Sequence, residues 1–411
     1  MQINTDIEST YAWVRLAASF TLLTIGGSAM YLVVVVMPAI ELEFAATRAQ
    51  ASLPYSMIML GWAAGTFFMG RLFDRFGIHI PIVIGIAGFG SGFMLSGYAP
   101  NLWLFAAAHG LLIGLLGTSS LFAPLLADVT HWFDRRRGMA IAIVASGQYV
   151  AGAIWPQAVQ AMIADIGWRE TYISVGVFCV VTMLPLSFVL RRRILVTTHA
   201  NAAAAAEADR PPMSLGLSAT RIQVLLCIAG LGCCIAMAMP QVHLVSMCIG
   251  LGYGPARGAQ MLALMLACGV VSRLSFGVIM DRIGGLKTLL LASCLQCVAL
   301  FFFLPVEGLV SLYLVAAMFG LFQGGLVPCY ALVVREYFKP SEAGARIGLL
   351  ITATLVGMAL GGWLSGAIFD LTRSYQVAFL HGIAWNFVNI AIVAFLLWRR
   401  ETVFRLQRAV A

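Results

Sequence analysis

The sequence predicts an all-α membrane protein of twelve transmembrane helices in two pseudo-symmetric six-helix bundles. Three observations carry this. Of the 411 residues, 61% are hydrophobic and 10% charged, with a mean hydropathy of +0.94, whereas soluble domains carry roughly 25% charged residues. The apolar residues gather into twelve runs, each long enough to cross about 30 Å of hydrocarbon. A short polar element also returns halfway along the chain: GRLFDRFG from Gly70 to Gly77 reappears as GVIMDRIG from Gly277 to Gly284, an offset of 207.

The runs lie at 13–39, 51–71, 78–98, 101–127, 138–163, 168–190, 221–248, 257–280, 286–304, 309–334, 344–369 and 375–398. The first carries no small-residue cleavage site ahead of a soluble region, so it reads as a retained span and not a signal peptide. An even number of spans puts both termini on one side. That side receives twenty of the 25 lysines and arginines, the opposite side only Arg48, Arg169, Arg257 and Arg373, and Arg273 falls inside a span. The positive-inside rule then makes both termini cytoplasmic in a cell (inner) membrane. The net charge of +8 is explained in the same way. Its clusters sit between apolar runs and form no continuous basic face, which argues against a nucleic-acid partner.

The longest polar connection runs from 191 to 220 and holds Arg191 to Arg193, an alanine tract and Pro211-Pro212. It reads as a cytoplasmic linker between bundles at 1–190 and 221–411. A second echo supports the division: HWFDRRRG at His131 is matched weakly by REYFKPSEAG at Arg335, with Phe133 and Phe338 separated by 205. Two half-chains on one plan suit a carrier that alternately exposes a central site.

Arg273 is the residue on which a functional reading turns. It lies eight residues before Asp281, so about 12 Å of helix separates it from the membrane surface. A guanidinium at such depth costs at least roughly 2.5 to 3.5 kcal/mol and normally faces a cavity, a partner or a substrate. None of the seventeen acidic residues falls mid-span, so an incoming anion is the natural counter-ion. A carboxylate would pair bidentately with the fork. Snorkelling, or bonding to backbone carbonyls, is the alternative.

The repeated GxxxDRxG turns offer a cytoplasmic gate of Gly70, Asp74, Arg75, Gly77, Asp281 and Arg282, flanked by Arg135, Arg136 and Arg137. Glycine permits close helix approach and a tight turn, and the charges can hold helix ends and neighbouring charges. Tyr31, Ser28, Ser119, Gln148, Tyr149, Gln323, Tyr330, Trp385 and Asn386 are polar candidates inside runs. Each lines a wet cavity or ties helices together. Glycines four apart (Gly61 and Gly65, Gly110 and Gly114, Gly357 and Gly361) read as close-packing sites, and His109 as packing. The nine cysteines sit in or at the ends of apolar runs, where they act as small packing residues. The CxxC of Cys294 and Cys297 lies mid-span without a second pair, so neither metal nor cofactor is expected. No paired acids and no nucleophile with a base appear at useful spacing, which argues against an enzyme.

The duplicated turn resembles the signature of the major facilitator superfamily. MPAIELEF, HWFDRRRGMAIAIVASG and GAIFDLTRSYQVAF are similar to segments of its monocarboxylate-porter group, including the bacterial lactate and oxalate/formate carriers. The resemblance implies that Arg273 pairs with a substrate carboxylate and that His243, which matches a histidine common in the bacterial group, carries or gates a proton. Two positions depart from the pattern. Gly269 stands where many such porters have an aspartate one turn before the arginine. Phe122 stands where bacterial relatives often have a tyrosine, which removes a hydroxyl and suits a more apolar substrate. The expected activity is secondary active transport of small monocarboxylates or related organic anions with protons, by a monomer in the bilayer. Oxalate/formate-type exchange, drug export and a non-transporting sensor are the alternatives.

Overall fold

The computed structural model describes residues 7–192, 215–306 and 308–410, and every regular element among them is helical. Most of the expected linker at 191–220 lies outside the described residues. Eleven of the described helices are long and apolar enough to cross a membrane. One of them, Arg137–Val189, has 53 residues and would measure about 80 Å, more than twice a hydrocarbon core. Gly167 breaks it, with φ 80 and ψ 165, into spans 5 and 6, so the described residues supply twelve spans.

The others are span 1 Thr10–Glu43, span 2 Arg48–Phe76, span 3 His79–Gly97, span 4 Leu102–Val129, span 7 Ala219–Gly250, span 8 Pro255–Ile283, span 9 Gly285–Phe302, span 10 Leu309–Tyr337, span 11 Glu342–Thr372 and span 12 Tyr375–Arg405. Most run a few residues past the apolar segments, because a helix continues beyond the hydrocarbon until a cap or glycine stops it. Span 2 starts on a capping box in which the Thr47 side chain and the Gln50 side chain each hold the other's backbone N–H. It ends at Gly77, and span 8 ends at Gly284.

The chain forms two compact units. The first holds the described residues up to 192 together with 241–267, and the second holds 215–240 with 268–410.

Within the first unit, span 2 lies against the part of span 4 that is wound as a π-helix, Ala108–Thr118. A methyl on Gly61 would sit 2.1 Å from the Gly110 carbonyl oxygen, and one on Gly65 2.2 Å from that of Leu115. Only glycine lets the two backbones come this close. His109, on the π-helical stretch, packs as part of a buried polar cluster. Its Nδ1 lies 2.7 Å from the Phe105 carbonyl and 3.3 Å from Ser96 Oγ, and its Nε2 lies 3.1 Å from the Tyr172 hydroxyl.

In the second unit, spans 7 and 11 pack through the same device. Methyls on Gly357 and Gly361 would each come within 2.5 Å of a span 7 carbonyl, Leu231 and Ile235 respectively.

Candidate functional site

Span 10 is two helices, Leu309–Gln323 and Leu326–Tyr337, that meet at Gly324 and Gly325. Span 8 passes against that break. A methyl on Gly324 would lie 2.5 Å from the Gly269 carbonyl oxygen and 2.9 Å from the Arg273 backbone nitrogen, and one on Gly325 2.3 Å from Phe276 Cβ. The contact at Gly324 is therefore largely backbone on backbone, which glycine allows, while Gly325 makes room for the Phe276 side chain.

Two side chains of span 8 hold the backbone of Gly324 on either side of its Cα. Its N–H donates to the buried Ser272 Oγ at 3.0 Å, and its carbonyl accepts from Arg273 Nε at 3.4 Å. Arg273 is half-buried. Its guanidinium thus bonds to a carbonyl, as one of the alternatives required, and that carbonyl lies at the helix break midway along span 10. Irregular backbone at membrane depth is tolerated where it is packed in protein or lines a water-filled cavity.

The remaining candidates divide by unit. In the first, the Tyr31 hydroxyl donates to the Gln148 carbonyl at 3.3 Å, and the Gln148 amide lies 3.5 Å from Met30 Sδ. Tyr149 and His243 are buried. Phe122 meets Trp62 edge-on, with ring centroids 5.5 Å apart. Ser28 Oγ lies 3.8 Å from Cys179 Sγ, and Ser119 Oγ bonds back to Leu115 in its own helix.

In the second unit, Gln323 is buried beside the break. Trp385 Nε1 donates to His381 Nε2 at 3.1 Å. Tyr330 and Asn386 belong to a buried network: the Tyr330 hydroxyl donates to Asn389 Oδ1 at 2.7 Å, Asn389 Nδ2 reaches Ser293 Oγ at 2.9 Å, and Asn386 Nδ2 reaches the Ser293 carbonyl at 3.0 Å. These bonds join spans 9, 10 and 12 as interhelical ties.

The paired turns share one backbone geometry. Gly77 has φ 74 and ψ −177, and Gly284 has φ 83 and ψ 169, a region essentially reserved to glycine. The tight turn is present in both halves. Close helix approach at the first glycine is not, because a methyl on Gly70 or Gly277 would meet nothing within 4 Å. Asp74, Arg75, Asp281, Arg282 and Arg135 are exposed. Arg137 pairs with Asp134 at 3.7 Å, and the Arg136 backbone N–H donates to Glu8 at 2.9 Å.

Two of the ion pairs among the described residues tie spans together in the first unit, and neither is read from the sequence. Arg15 and Asp128 pair in the interior of the first unit at 2.7 Å. At the opposite end of span 1, Glu43 accepts from Arg169 at 2.6 Å and from Trp168 Nε1 at 2.6 Å. The charge count groups Arg15 with the cytoplasmic residues, whereas its side chain is buried against Asp128. The available signal was one lone charge of each sign, in YAWVRLAAS and LLADV, inside otherwise apolar stretches. No group of three or more His, Cys, Asp or Glu side chains converges as a metal site among the described residues.

The chain is similar to known transporters along most of its length. The chain is 25% identical over 327 residues to the MFS-type transporter pynF of Aspergillus niger, an alignment covering 77% of this chain and 71% of that one. It is 26% identical over 297 residues to monocarboxylate transporter 13 of Rattus norvegicus, covering 70% and 66%. A further relative, at 23% over 308 residues and covering 72% and 67%, is the agnestins efflux protein AgnL12 of Paecilomyces divaricatus. The crystal structure of a bacterial homologue of the human lysosomal transporter Spinster, inward-facing and unoccupied, superposes with a TM-score of 0.67 at 14% identity, covering 97% of both chains. The family profile described as Major Facilitator Superfamily matches residues 18–317 and 261–410, and the chain belongs to that superfamily.

Proposed function

We propose that this transporter carries small monocarboxylates, or related organic anions, together with protons across the cell membrane by alternating access, with both termini cytoplasmic. One observation supports this above the rest: a guanidinium inside span 8, held by Nε at the break in span 10. An anion binding there pairs its negative charge with the Arg273 guanidinium, which lowers the cost of carrying both through a low-dielectric interior as the loaded carrier reorients. His243 supplies the proton, and the Gly77 and Gly284 turns shape the cytoplasmic gate. The similarity to rat monocarboxylate transporter 13 points the same way.

The test is uptake into proteoliposomes of radiolabelled L-lactate, pyruvate, formate and benzoate, with and without a pH gradient. Arg273→Ala abolishes uptake while the protein remains folded, and Arg273→Lys retains little because the planar fork is lost. Normal uptake by the alanine variant sinks the assigned site. No flux of any acid through the wild-type protein favours the sensor.

Export of a larger, more apolar acid is the second reading. It is favoured by the efflux relative and by Phe122, whose ring packs on Trp62 where a tyrosine would offer a hydroxyl. Accumulation of benzoate but not lactate in everted vesicles selects it.

A further inference from the structure

Proline has no N–H to give the carbonyl four residues earlier. In span 10 the proline is Pro328, so the carbonyl deprived of its helical donor is that of Gly324. The next bond of the ladder is present, Cys329 N–H to the Gly325 carbonyl at 3.2 Å. An orphaned carbonyl at membrane depth takes a donor from another helix, and the donor here is Arg273 Nε at 3.4 Å. Ser272 accepts from the N–H of the same residue, in the preceding peptide, at 3.0 Å. At Gly324 the two helices lie close enough that a Cβ would fall 2.5 Å from the Gly269 carbonyl oxygen.

The first half of the chain makes the comparison. Its span 4 carries Pro124, which deprives the Ser120 carbonyl in the same way. The position matching Arg273 at the repeat offset is Thr66, and its hydroxyl bonds back to Trp62 in its own helix at 2.8 Å. Both halves therefore carry the proline, while the arginine that answers it belongs to the second half.

We propose that Pro328, Gly324 and Ser272 are positioning residues for the anion site: the carbonyl that Pro328 orphans takes the Nε of Arg273 and so sets the plane in which the guanidinium meets a carboxylate. This rests on the transport reading above. A guanidinium held at Nε by rigid backbone has its plane set before the anion arrives, which lowers the ordering cost of two parallel bonds. The proline acts without touching substrate. It withholds a competing donor.

The experiment is Pro328→Ala, which restores an N–H beneath the Gly324 carbonyl, read by uptake of the same four acids and by a structure of the variant. The expected result is a KM about tenfold higher with maximal rate within about twofold, as loss of a preorganised bidentate pair would give, and Arg273 Nε displaced from Gly324. Ser272→Ala is the second variant, with a smaller rise in KM in the same direction. In an Arg273→Lys background, measured on residual uptake, Pro328→Ala adds no further rise, whereas a merely structural proline would add its full effect. Wild-type uptake with an unchanged KM in both Pro328→Ala and Ser272→Ala overturns the positioning role and leaves the transport reading standing. If the wild-type protein takes up none of the four acids, the transport reading fails, and the structure of Pro328→Ala decides the positioning role alone. Nε still on the Gly324 carbonyl overturns it, and Nε released supports it.

Discussion

Arg15 and Asp128 form a two-bond ion pair sealed inside the first unit. Nε meets Oδ2 at 2.7 Å and Nη2 meets Oδ1 at 2.8 Å, and the residues are 1% and 5% exposed. The same guanidinium donates to the carbonyls of Val189 and Arg192 at 3.4 and 3.0 Å and lies 4.6 Å from the Trp132 ring centroid. One side chain thus ties the start of span 1 to the ends of spans 4 and 6.

Breaking such a pair strands a charge in a low-dielectric interior, at a cost of about 3 to 5 kcal/mol. Arg15→Ala and Asp128→Ala should each lower the thermal unfolding midpoint in detergent markedly. The double variant should be less destabilised than the two singles summed, because neither charge is left behind. Additive losses would show that the two residues are not coupled in the folded protein.

Gly77→Ala and Gly284→Ala place a side chain where φ is 74 and 83, and each should cost about 1 to 3 kcal/mol of stability. Gly70→Ala has open space around the added methyl and should fall within about 0.5 kcal/mol of wild type. Equal losses at 70 and 77, measured by chemical denaturation, would show that the first glycine is constrained by something other than the contacts seen here.

Tyr330→Phe removes a buried hydroxyl that donates to Asn389 at 2.7 Å. Stability should drop by about 1 to 3 kcal/mol as the Asn389 carbonyl loses its donor, and KM for the transported acid should stay unchanged. A higher KM with normal stability would instead place that hydroxyl on the substrate.

His243 is fully buried in span 7. If it carries the coupled proton, His243→Gln should abolish the acceleration of uptake by an acid exterior and preserve exchange of labelled for unlabelled acid. Uptake by the variant that still follows the imposed gradient would assign the proton to another group.

The spans, their order and the two turns were legible because their causes are local. Hydrocarbon admits only structures that satisfy their own backbone, so an apolar run of sufficient length already commits to a helix, and φ near 75 at a turn demands glycine whatever surrounds it. Gly61 with Gly65 and Gly357 with Gly361 were legible for the same reason: small residues four apart make a flat helix face. Arg273 stood out because a charge at depth is costly wherever it points.

Partnership was not legible. Arg15 finds Asp128 across 113 residues and Arg273 finds Gly324 across 51, and no periodicity in either segment encodes its mate. Tyr330 and Asn386 carried equal weight as cavity lining and as helix ties until the positions of Ser293 and Asn389 were fixed. The sequence by itself determined which segments cross the membrane and where one of them bears a charge. The tertiary structure alone decided what each charge and hydroxyl touches, because those contacts depend on how helices far apart in the chain turn their faces when they pack.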